Sequence, residues 1–199
     1  MRKNTFSMDR AMKSYERTQN QLISSFLSRV ISRKITQTEL RQDAFAESLD
    51  KQAHIDVLVS DNKGLYGIAV RNRNISSSSR FDVLMRRGSD WSELEVFMTQ
   101  FSDPFVFKPK YIAHGFYNDS GNLQEALLID AFEFYKYLIP TLTYIRAFGG
   151  NEVFGFKTGP GYNFFYVAVD ELIKKGIVLS TLSSLPEREK KEEVQYVNI

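Results

Sequence analysis

One stretch of this chain carries side chains whose types and spacing suit phosphate or metal chemistry. Asp56 interrupts the apolar run His54 to Ser60, HIDVLVS, whose β-branched residues predict a strand buried on both faces at the centre of a sheet. The turn Asp61-Asn62-Lys63-Gly64 then reverses the chain into an antiparallel partner, Leu65 to Arg73, LYGIAVRNR. Side chains alternate along a strand, so Ala69, Arg71 and Arg73 face one way and Ile68 and Val70 the other. An acid on one strand and two positions one residue apart on the next form a geometry suited to a metal ion. Arginines crowd the same region. Arg71, Arg73, Arg80, Arg86 and Arg87 flank the serine run Ser76 to Ser79 against a single acid, Asp82. Arginine in preference to lysine favours forked contact with phosphate oxygens. The competing reading pairs these arginines with Glu93, Glu95 and carboxylates of a preceding helix.

The elements on either side must position that hairpin. Apolar residues from Met8 to about Lys34, among them Met12, Leu22, Phe26, Leu27 and Ile31, recur at helical spacing and predict a long amphipathic helix. Residues 1 to 36 carry eight Lys and Arg against two acids, so this helix is basic. A capping box, Thr36 with Glu39, opens a second helix to about Leu49, on which Glu39, Asp43 and Glu47 line one stripe. After the hairpin, Phe81 to Arg87 predicts a third strand that completes a three-strand meander. Ser92 and Glu95 open a crossing helix, and Lys110 to Tyr117 and Glu125 to Ile129 predict two more strands. Asp130 and Glu133 cap a helix to about Leu138. Thr143 to Gly161 has no clear period, and a strand, Phe164 to Val169, leads to a helix ended by Gly176. This order predicts an α/β fold with a mixed central sheet flanked by helices. The expected division is a basic N-terminal helix over 1–35, one α/β core domain over 36–185 and a charged tail over 186–199.

The order of elements from about residue 36 to 130, with the aspartate and the paired positions on the next strand, resembles the PD-(D/E)XK nuclease superfamily, the restriction-endonuclease-like fold. Asp56 matches the family's strand aspartate, Arg71 falls where its lysine stands, and Ala69 falls where its second acid stands. The resemblance implies a nuclease acting on DNA, in phage, mobile-element or bacterial nucleic-acid metabolism. It implies catalytic roles for Asp56, Arg71 and Glu47, and magnesium held by Asp56 with Asp43 or Glu47. Arg71, Arg73, Arg80, Arg86 and Arg87 are then the nucleic-acid contacts. Alanine is no metal ligand, so the same resemblance admits an inactive member of the fold that binds nucleic acid or assembles with protein.

Composition narrows the remaining classes. The chain has 199 residues, 43% hydrophobic and 25% charged, which predicts one globular domain of ordinary size. No apolar run approaches the roughly 18 residues of a membrane span, and a cytoplasmic protein is expected. With no cysteine and only His54 and His114, thiol chemistry is excluded and a metal would rest mainly on carboxylates. His54 reads as a strand-end residue beside Asp56, and His114 as core. The glycines Gly149-Gly150 and Gly159-Pro160-Gly161 lack a nucleotide-binding pattern. The partners expected are DNA rather than RNA, no membrane, and a second copy through the N-terminal helix.

Overall fold

The computed structural model describes residues 21–22, 26–31, 55–61, 64–74, 80–87, 93–104, 106–159 and 162–183. In chain order these form α1 (Ser28–Val30), β1 (Val57–Asp61), β2 (Gly64–Asn74), β3 (Arg80–Arg87), α2 (Glu93–Ser102), β4 (Pro109–Tyr117) and β5 (Leu123–Asp130). There follow α3 (Ala131–Phe148), β6 (Phe154–Gly159), β7 (Tyr162–Ala168), α4 (Val169–Lys174) and β8 (Val178–Ser183). The expected second helix with Glu39, Asp43 and Glu47, the residue His54, most of the N-terminal helix and the tail after 186 lie outside the described residues.

A mixed five-stranded sheet in the order β1-β2-β4-β5-β8 organises the fold. β1 and β2 form the expected hairpin, Val57 opposite Ile68, and β2 then pairs in parallel with β4, Ala69 beside Ile112 and Arg71 beside His114. β5 and β8 complete the sheet in antiparallel register. β4 is buried at every position from Tyr111 to Tyr117, which requires apolar cover on both faces and neighbours on both edges. Those demands place it in the middle.

The three-strand meander is not what forms. β3 leaves the hairpin and joins a second sheet, in the order β3-β7-β6, where Val83 lies opposite Phe165. The edge of β2 that a meander would use is taken by β4, which is buried from Tyr111 to Tyr117. β1 is likewise not central: among the described residues it is one of the two edge strands of its sheet. Its apolar residues are buried all the same: Val57 and Val59 enter the core, and Ile55 and Leu58 are also buried.

Those two cores lie on opposite faces of the sheet. One joins Val57, Val59, Ile68, Val70, Tyr111, Ala113, Ala126 and Leu128 to Leu22, Phe26, Leu27 and Ile31 of the α1 region. Gly115 permits the close approach there, because a Cβ at that position would stand 3.3 Å from Leu22 and 2.9 Å from the Tyr117 ring. The other core joins Ala69, Ile112, Phe116, Leu127 and Ile129 to Phe97 and Phe101 of α2, Phe134 and Leu138 of α3, and Phe165 and Val167 of β7. Ala69 enters one core while Ile68 and Val70 enter the other, as the alternation along β2 requires.

α3 starts where its capping pair predicts. Asp130 Oδ1 accepts from the N–H groups of Phe132 and Glu133, each at 2.9 Å. Asp130→Ala is expected to cost about 1 kcal/mol in urea unfolding, since two first-turn donors lose their acceptor. The helix continues through Pro140 to Phe148, ten residues beyond the expected end. Thr141, Leu142 and Ile145 keep the buried face going, and the hydroxyls of Thr141 and Thr143 donate to the carbonyls of Tyr137 and Ile139 around the proline. Gly149, at φ 83°, closes it with its N–H on the Ile145 carbonyl. No helix among the described residues is long and apolar enough to cross a membrane.

Candidate functional site

Asp56 is fixed against β2 by three independent contacts. Ile55, fully buried, lies over Gly67, where a Cβ would meet its side chain at 2.6 Å. The N–H of Asp56 donates to the Ile68 carbonyl at 3.0 Å. Its Oδ2 accepts the N–H of Val70 at 2.6 Å. Strand β1 therefore begins at Val57, one residue after the aspartate, and the carboxylate extends the contact with β2 beyond the ladder.

Arg71 completes the pair. Its Nη1 lies 3.5 Å from Asp56 Oδ2, with the arginine side chain 15% exposed and the aspartate 31% exposed. The same Nη1 donates to the Val70 carbonyl at 2.7 Å, and Arg73 repeats the contact one step along, its Nη1 donating to the Asn72 carbonyl at 3.1 Å. Both guanidiniums are thereby oriented by the backbone of β2 itself. Half-shielded from water, the Asp56 and Arg71 charges attract more strongly than a surface pair would. Asp56→Ala is expected to cost about 1 to 2 kcal/mol in urea unfolding, because the Val70 N–H loses its acceptor and Arg71 its counter-charge. Asp56→Asn keeps an acceptor and is expected to cost less.

The site's third member is one that the sequence reading assigned to the core alone. His114 is fully buried, as that reading expected, and it is also the register partner of Arg71 across the parallel pair, with Arg73 one step further along the same side. Its ring stands 4.6 Å from that of Phe116. Burial, then the positive charges of Arg73 and Arg71, hold its pKa well below the usual histidine value, so the ring is neutral at pH 7. The available signal was a lone histidine in the apolar run YIAHGFY, but its neighbour depends on a parallel register that no local pattern encodes.

Asp56, Arg71, Arg73 and His114 thus gather on the face that carries Ala69, with the arginines and the histidine toward the carboxyl ends of β2 and β4. Such ends are where open α/β sheets place their ligands. Arg80, Arg86 and Arg87 are not on this sheet: they lie on β3, opposite Ala168, Asn163 and Tyr162 of β7. Asp43 and Glu47 lie outside the described residues.

Among the described residues no group of three or more His, Asp or Glu is placed to hold a metal ion, and Ala69 offers no donor opposite Asp56. The Arg71 guanidinium beside that carboxylate opposes a second cation. What the arrangement can do is hold an anion: two forked cations on one strand face, a neutral imidazole beside them, and one carboxylate that orients the first arginine. No protein-family model, curated protein or solved structure matches this chain.

Proposed function

We propose that this chain is a nucleic-acid-binding domain of the restriction-endonuclease-like kind, with DNA as the preferred ligand. Its phosphate contacts are Arg71 and Arg73. The observation that carries the reading is the Asp56–Arg71 pair on the β1–β2 hairpin, with the position opposite Asp56 occupied by Ala69. Where the superfamily resemblance implies a metal held by two acids, the described residues supply one, Asp56, already engaged by a guanidinium and a backbone N–H. Arginine remains charged at all accessible pH and does not serve as a base, so the pair suits binding better than proton transfer.

The proposal is tested by incubating the protein with supercoiled plasmid and single-stranded DNA in magnesium, manganese or EDTA, with mobility shift and cleavage read from the same samples. The expected result is a shift in all three conditions without nicking. The second reading, a magnesium-dependent nuclease, is favoured by the α2 crossover that brings β4 parallel to β2, the one part of the expected element order kept after the hairpin once β3 has left for the second sheet. Nicking that requires both magnesium and Asp56 would establish it, and would direct attention to Asp43 and Glu47 as the missing ligands.

A further inference from the structure

We propose that Arg71 and Arg73 act as a matched pair that grips two successive phosphates of a single polynucleotide strand laid along β2. The inference rests on the nucleic-acid reading above and adds to it which part of the ligand is recognised.

Three observations support the pairing. The two residues stand at i and i+2 on one strand, so they share a face and their Cα atoms are about 6.6 Å apart along it. That interval is close to the separation of neighbouring phosphates on one nucleic-acid strand. Their guanidiniums are anchored in the same way, each Nη1 on the carbonyl of the preceding residue, at 2.7 Å for Arg71 and 3.1 Å for Arg73. Two forks held in the same manner by one backbone keep the interval of that backbone, whereas unanchored arginines would lose side-chain entropy on binding. Finally, His114 beside them is buried and neutral, so it adds no charge of its own to the two cations. A first phosphate at Arg71 competes with the Asp56 carboxylate, and a second at Arg73 holds the strand in place while it does so.

The test uses fluorescence anisotropy of the full chain with three labelled oligothymidylates of equal length. One is fully charged. One has every second linkage replaced by a neutral methylphosphonate, and one carries the same number of neutral linkages in a single block. The two modified strands have equal charge, but only the block design retains successive phosphates. Wild type is expected to bind the block strand about tenfold more tightly than the alternating strand, the scale of one lost charge-assisted contact. In Arg73→Ala the two strands are expected to bind equally, and Arg73→Lys, which keeps charge but not the fork, is expected to restore only part of the difference. Equal binding of both modified strands by wild type, or a preference that survives in Arg73→Ala, overturns the pairing and leaves the nucleic-acid reading standing. Failure to bind even the fully charged strand overturns both.

Discussion

Replacing Arg71 by alanine is expected to weaken DNA binding at least tenfold at low ionic strength, and to make the slope of log affinity against log salt shallower by roughly 0.7 to 0.9, the contribution of one phosphate contact. The size follows from its position. The guanidinium is oriented by the Val70 carbonyl and by Asp56, and only 15% of the side chain is exposed, so its contact with phosphate is made in a partly shielded setting. Asp56→Asn is expected to act in the opposite direction, raising affinity severalfold, because the carboxylate that competes with phosphate becomes neutral while an acceptor for Val70 N–H remains. A metal site predicts the reverse sign for Asp56→Asn, with binding or turnover lost. Anisotropy titrations of the two variants, with thermal melts to check folding, separate these outcomes.

The second large effect is on stability. Burial and the two arginine charges keep His114 neutral in the folded protein, whereas in the unfolded chain it takes up a proton near pH 6.5. The unfolded state therefore binds more protons as pH falls below that value, and folding stability declines by up to about 1.4 kcal/mol per pH unit until the folded-state pKa is reached. Above about pH 6.5 this contribution to stability is fully present. As the pH falls below 6.5, this residue's contribution to stability is expected to be lost progressively. His114→Phe removes the titrating group, so wild type is expected to lose stability relative to the variant as the pH is lowered from 7 toward 5. Parallel pH profiles in urea unfolding would show that the ring takes up its proton as readily in the native state as in the unfolded chain, and would contradict its buried placement beside Arg71 and Arg73.

Local patterns made part of this site legible. Alternation along LYGIAVRNR placed Ala69 and Arg71 on one face, and the Asp61-Asn62-Lys63-Gly64 turn joined that strand to the one beginning after Asp56. The Asp130 and Glu133 pair marked the start of α3. These features are set by neighbours a few residues apart. What was not legible depends on distant residues. β3 follows β2 in sequence, yet it pairs with Tyr162–Ala168, about eighty residues later, while β4, buried from Tyr111 to Tyr117, takes the place beside β2. β8, Val178–Ser183, is half serine and threonine and has no strong apolar run; its pairing with β5 makes it a strand. Pro140 reads as a helix stop, but continued burial of Thr141, Leu142 and Ile145 outweighs the roughly 3 kcal/mol penalty. The pairing of His114 with Arg71 belongs to the same class, since parallel register is a product of the whole sheet.

The most direct measurement is the affinity of the wild-type protein for a labelled DNA strand in EDTA, titrated between about 50 and 200 mM NaCl. A site that holds phosphate through arginine binds without metal, and its affinity falls steadily as salt rises. Absence of binding in EDTA that magnesium restores would contradict this account, because it would place a metal ion where Arg71 is held to act.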